Sequence, residues 1–163
     1  MDCTTDLLIL HEVTENDISE VARTWSPDRS LTGEEAAGVI AYIRGNHKRN
    51  TEGRVYHLCL AVCTKDAPQR FIGWCGLDGS ANCEEPEIFI LLDAEHRGRG
   101  YGTQCVRKLL GLAEEVFALK SVHGSCAADN IASQRAMEKG GMVRYAASED
   151  GAPRYRYTAA GRG

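Results

Sequence analysis

The stretch His96-Arg97-Gly98-Arg99-Gly100-Tyr101-Gly102 constrains the fold more than any other part of the chain. Residues 88–92 before it are apolar throughout, as in a buried strand. Val106, Leu109, Leu110, Ala113, Val116 and Phe117 after it keep the i, i+3, i+4, i+7 spacing of an amphipathic helix. Passing from one period to the other over so few residues requires a tight strand-to-helix turn. Glycines at alternate positions let that turn bring several backbone N–H groups toward one point, and the helix adds the positive end of its dipole. With Arg97 and Arg99 beside them, these groups suit an anion of the pyrophosphate kind.

Spacing removes three familiar anion loops. A dinucleotide fold needs G-x-G-x-x-G, but Gly98-x-Gly100-x-Gly102 runs straight into Thr103. A P-loop needs Gly-Lys-Ser/Thr after its glycines, and no such triplet follows. An RNA-binding GXXG loop joins two helices, whereas this turn follows a strand in an acidic chain.

The rest of the chain alternates in the same manner. A strand is expected over 7–13. Thr14 then caps a short helix ending near Trp25, and the loop after it carries Pro27. Thr32 with Glu35 three residues on reads as a capping box, Ala36, Val39, Ile40 and Ile43 continue the helix, and Gly45-Asn46 read as its stop. Residues 55–63 are apolar on both faces, as in an interior strand, and pair as a hairpin with 71–77, where Gly73 and Gly76 signal a bulge or close packing. A strand over 121–126, a helix capped by Asp129 or Asn130 and reaching Lys139, and strands over 142–146 and 155–158 around an Asp150-Gly151 turn complete the order. Residues 161–163 are expected to be loose. The reading is a single α/β domain over 1–163, with a mixed central sheet of about six or seven strands and helices on both faces.

Composition excludes several partners. The formal net charge of −4 and the pI near 5.7 argue against nucleic acid or an anionic membrane surface. No apolar run approaches the roughly 20 residues of a transmembrane helix, and the N-terminus lacks a basic region followed by an apolar core. A cytoplasmic protein, monomer or homodimer, is expected. Seven irregularly spaced cysteines read as reduced, mostly buried thiols. Five scattered histidines form no H-x-x-H pair, so no metal site is expected.

Arg97-Gly98-Arg99-Gly100-Tyr101-Gly102 matches, at each defined position, the Gln/Arg-x-x-Gly-x-Gly/Ala loop of the GCN5-related N-acetyltransferases (GNAT), which the chain resembles over nearly its whole length. Phe71-Ile72-Gly73-Trp74-Cys75-Gly76, Glu87-Ile88 before the loop, and Asn130-x-x-Ser133 leading to Lys139-Gly140-Gly141-Met142 are more similar still to the ribosomal-protein N-terminal acetyltransferases of the RimJ/RimL type.

The resemblance implies acetyl-CoA as donor and an amine as acceptor. It implies that the strand before the loop splays from its parallel neighbour, that backbone groups near Leu91 and Leu92 hold the pantetheine arm, and that N–H groups from Arg97, Gly98, Arg99, Gly100, Tyr101, Gly102 and Thr103 bind the pyrophosphate. Glu87 matches an acidic position in the resembling families and is the candidate proton acceptor, with Glu84 and Glu85 in the preceding loop as competitors. Asn130 is a candidate for the pantetheine arm, and Ser133, where many relatives use a tyrosine, for protonating the CoA thiolate. Trp25, Asp28, Glu34, His47 and Trp74 are candidates for the acceptor side, where a protein N-terminus, an amino acid or a small-molecule amine are all open. The alternative from another class is a catalytically silent acyl-CoA-binding module.

Overall fold

The computed structural model describes residues 2–160, so residues 161–163, expected to be loose, lie outside it. Eight strands form one sheet: β1 (Cys3–Thr4), β2 (Leu8–His11), β3 (His57–Thr64), β4 (Gly73–Asp78), β5 (Glu87–Leu92), β6 (Ser121–Ser125), β7 (Val143–Ala147) and β8 (Pro153–Thr158). Their order is 1-2-3-4-5-6-8-7, antiparallel at each junction except the parallel pair β5–β6. The sheet exceeds the expected six or seven strands by β1, whose two residues are too few to carry a period.

Four helices, α1 (Ile18–Thr24), α2 (Gly33–Arg49), α3 (Tyr101–Glu115) and α4 (Ile131–Gly140), cover the sheet from both sides. On one face Val21 of α1 and Ala36, Ile40 and Ile43 of α2 pack on Cys59, Ala61, Cys63 and Trp74. On the other, Val106, Leu109 and Leu110 of α3 and Met137 of α4 pack on Leu60, Cys75, Ile88 and Val122. Strand β3 is therefore covered on both sides, as its unbroken apolar run requires. Capping boxes start the first two helical segments: Thr14 with Asp17, and Thr32 with Glu35.

Helix α2 does not stop at Gly45-Asn46 but continues to Arg49. Tertiary partners outweigh the weak helix propensity of those two residues. The imidazole of His47 Nε2 accepts the Cys59 N–H at 3.0 Å, beyond the point where β2 ends and leaves β3 without a neighbour there. Its Nδ1 lies 3.0 Å from Glu12 Oε1, which fixes the Nδ1–H tautomer. Asn50 then ends the helix, accepting from Tyr56 N at 2.8 Å and donating to His57 O at 2.9 Å. This clamp holds Val55 and Tyr56 outside β3, which starts at His57 rather than at the expected residue 55.

Gly73 and Gly76 mark close packing. A Cβ at Gly76 would lie 1.8 Å from Leu58 O and one at Gly73 2.1 Å from Leu91 O, so neither position admits a side chain.

Candidate active site

Strand β5 runs through a short 3₁₀ turn, Ala94–His96, into the glycine loop and then α3. Gly98 at φ +74° and Gly100 at φ +80° occupy the left-handed region, where a side chain is strained. Gly102 serves packing instead: a Cβ there would sit 3.3 Å from Ala136 Cβ on α4. Thus two glycines shape the loop and the third lets the helices approach. The carbonyl of Gly100 accepts the Gln104 N–H at 3.2 Å, opening the helical ladder. Among the described residues, the backbone N–H groups of residues 98–103 donate to no protein acceptor. A 15-residue helix points its dipole at the same place. Arg97 is exposed and its Nε donates to Leu92 O at 3.1 Å, which holds the guanidinium at the end of β5; Arg99 is exposed beside it. Free amides, two arginines and a helix N-terminus fit the pyrophosphate of a CoA ester.

The gap beside β5 is the second part of the site. The parallel strands β5 and β6 are paired at Glu87–His123, where His123 N donates to Pro86 O at 2.9 Å, and no further pairs follow along β5. Backbone groups of successive strand residues point to alternate sides. The Leu91 carbonyl faces Gly73 on β4, and Asp93 N donates to Ile72 O at 2.8 Å, also toward β4. The backbone groups turned toward the gap are therefore those of Ile90 and Leu92. Sequence reasoning placed Leu91 and Leu92 there; the structure turns Leu91 away and brings in Ile90, a shift of one residue that the β pleat dictates and that a pairing register was needed to see. The side chain of Leu91, 65% exposed, lies on the α1/α2 face of the sheet instead.

Glu87 stands where the two strands join, exposed, with its Oε1 accepting from Ser125 Oγ at 2.6 Å. Asn130 caps α4, its Oδ1 accepting from Ser133 N at 3.1 Å. That leaves the Asn130 amide NH₂ and the half-buried Ser133 hydroxyl free for a ligand. Glu87 also belongs to a row of ionisable side chains crossing the sheet on one face: His57 pairs with Asp78, Asp78 with Glu87, Glu87 with His123, and His123 with Arg156. Directly paired residues have Cβ atoms about 5 Å apart. His57, Asp78 and His123 escaped sequence reasoning because they come from three separate strands.

Next to this row, on the α1/α2 side, lies a cavity of about 250 Å³. Trp25 and Trp74 wall it, meeting edge to face at 5.0 Å, with Phe89 and His57, whose rings stack at 6.0 Å, on another side. Asp78 supplies its carboxylate. Burial alone would raise the Asp78 pKa, but hydrogen bonds from Ser80 and the nearby His57 outweigh it and hold the carboxyl below its ordinary value. Burial lowers the pKa of His57. Of the acceptor-side candidates, Trp25 and Trp74 line the cavity. His47 instead secures α2 to β3 through Cys59 N, while Asp28 and Glu34 are exposed and do not line it.

All seven cysteines are free, and burial pushes the Cys59 and Cys63 thiols up to about 12, which leaves them poor nucleophiles. Among the described residues no group of three or more His, Cys, Asp or Glu side chains is placed to hold a metal ion, and no helix is long and apolar enough to cross a membrane.

Comparison with known proteins agrees with this geometry. The family model described as "Acetyltransferase (GNAT) domain" matches residues 8–143. Among curated proteins none matches the chain significantly. Solved structures share the fold at low identity. The ribosomal-protein-S5-alanine acetyltransferase of Vibrio fischeri superposes with a TM-score of 0.78 at 15% identity, over 97% of this chain and 96% of that one. An acetyltransferase of Agrobacterium tumefaciens gives 0.71 at 21% identity, over 98% and 95%. RimL, the ribosomal L7/L12 alpha-N-protein acetyltransferase solved with coenzyme A, gives 0.69 at 13% identity, over 96% of each chain.

Proposed function

Because the chain belongs to the GNAT family of acetyltransferases, we propose that residues 1–163 form one domain that moves the acetyl group of acetyl-CoA to a primary amine. The observation that carries this reading is the parting of β5 from β6 after one pair, above a loop whose N–H groups are unengaged. The free cysteines suit a reducing compartment such as the cytoplasm.

Acetyl-CoA supplies an activated thioester. The N–H groups of residues 98–103, with Arg97 and Arg99, take the pyrophosphate, and the backbone of Ile90 and Leu92 holds the pantetheine arm in the gap, as hydrogen-bond donors and acceptors fixed before the ligand arrives. Asn130 adds its side-chain NH₂.

The acceptor arrives as an ammonium, since an α-amino group titrates at about 7.7–8.0 and a lysine at about 10.4. Glu87 removes the proton. Ser125 occupies Oε1 and fixes the carboxylate, leaving Oε2 for the amine directly or through a water. The nitrogen lone pair then forms the C–N bond as the C–S bond breaks; the Ser133 hydroxyl gives its proton to the departing thiolate and regains one from the acylated nitrogen, which leaves a neutral amide and CoA thiol.

Release of CoA thiol, followed over a panel of primary amines, tests the proposal. Amine-dependent release that falls in Glu87→Gln and Ser133→Ala is the expected result. Saturable acetyl-CoA binding with no release on any amine would replace the enzyme by a silent binding module.

A further inference from the structure

Resting on the acetyl-transfer reading, we propose that Gln104 is a positioning residue for the CoA pyrophosphate: its side chain ties the N-terminus of α3 to the connection between β1 and β2, and that tie holds the loop amides at the aim the anion requires.

Gln104 joins three parts of the chain. Its backbone N–H donates to Gly100 O at 3.2 Å, so it closes on a loop residue held at φ +80°. Its side-chain Oε1 accepts the Leu7 N–H at 3.2 Å and also the Thr5 hydroxyl. A backbone N–H can only donate, which places the oxygen of the Gln104 amide, not its nitrogen, on Leu7. The Thr5 hydroxyl, having given its proton to Gln104, accepts the Leu8 N–H at 3.0 Å. Hydrogen bonds linked in this way polarise and strengthen one another.

The connection that Gln104 grips is itself fixed to the sheet. Thr5 N donates to Leu8 O at 2.9 Å and Lys65 N donates to Leu7 O at 3.0 Å, while Leu8 is fully buried and pairs with Thr64 of β3.

Helical geometry shows what the tie adds. At roughly 100° per residue, Gly102 and Gln104 project about 200° apart around α3. Gly102 abuts Ala136 of α4 and Gln104 meets the β1–β2 connection, so the first turn of α3 is held from opposite flanks. At the other end of the loop Arg97 Nε holds Leu92 O at 3.1 Å. With Gln104 released, the helix end would be free to tilt on its Gly102 contact, and the unengaged N–H groups of residues 98–103 would lose their common focus. Binding an anion to amides that are not fixed beforehand costs the entropy of ordering them.

Gln104→Met keeps the length of the side chain and removes its acceptor; Thr5→Val removes the hydroxyl and Thr5→Ser keeps it. Each variant is titrated with acetyl-CoA by calorimetry, which needs no turnover. Thiol release is then followed over the amine panel from two donors, acetyl-CoA and S-acetylpantetheine, the second of which has no pyrophosphate. Gln104→Met is expected to raise the acetyl-CoA Kd and KM about three- to tenfold with kcat unchanged, and to leave kcat/KM for S-acetylpantetheine as in the wild type. Thr5→Val should act in the same direction, and Thr5→Ser should match the wild type. Unchanged acetyl-CoA affinity in Gln104→Met, or equal losses on the two donors, would overturn the positioning role and leave acetyl transfer standing. Should Gln104→Met fail to fold, equal acetyl-CoA affinity in Thr5→Val and Thr5→Ser would overturn it as well. Acetyl-CoA binding that weakens in Gln104→Met, with no thiol release on any amine even in the wild type, would instead overturn acetyl transfer and leave the positioning role.

Discussion

Glu87 holds the junction of β5 and β6 from which the gap between them opens, so its chemistry and its structural part must be separated. Glutamine keeps the size of the side chain and can still accept from Ser125, but it cannot take a proton. Glu87→Gln is expected to lower kcat about 100-fold, the low end of what a positioned base contributes, with no change in acetyl-CoA affinity or melting temperature. Stopped kinetics beside a titration and a melting curve separate these quantities; a loss of stability matching the loss of rate would reduce Glu87 to a strut. Gly140 poses a question of packing alone. A Cβ there would lie 2.3 Å from Val106 Cγ1, so Gly140→Ala must push α4 off α3. Overpacking of this kind costs about 1–3 kcal/mol, and calorimetry should show a melting temperature lower by roughly 5 °C.

Between elements, the end of β2 is tied to the turn before α1 by His11, whose Nδ1 lies 2.9 Å from Asp2 Oδ2 and whose Nε2 lies 2.8 Å from Asp17 Oδ2. Burial disfavours the imidazolium, but hydrogen bonds to both carboxylates outweigh it and raise the His11 pKa above its ordinary 6.5. A group whose folded pKa is raised contributes stability that is complete below the unfolded value and fades as pH rises through the folded one. His11→Gln should therefore lower the melting temperature by about 2 °C at pH 6, a modest figure because Asp2 is half exposed, and hardly at all at pH 9. Equal losses at both pH values would mean that charge plays no part.

Legibility in the sequence followed the range of the forces involved. Helix α3 and the cap at Thr32 could be read directly, and the cap of α4 to within Asp129 or Asn130, since period and capping act within one or two turns. The loop glycines were legible as a group, yet the division between Gly98 and Gly100 for turning and Gly102 for packing needed α4 in place. The end of α2 was misplaced because His47 and Asn50 take partners on β3. Asp78 and His57 stayed hidden for the same reason: a polar residue at a strand end is unremarkable until register sets it beside Glu87.

At the scale of the molecule, two cores on opposite faces of one sheet flank a seam where β5 and β6 part. The glycine loop lies at the open end of that seam and Glu87 at the closed end, so a CoA ester anchored at the loop would carry its thioester toward the carboxylate. All of this depends on the loop being the pyrophosphate site. Titration of acetyl-CoA into the wild type, Arg97→Ala and Gly100→Val by calorimetry tests it most directly. Saturable binding in the wild type, weakened about tenfold or more in both variants, with the melting temperature unchanged in Arg97→Ala, is predicted; equal affinity in all three would contradict the account.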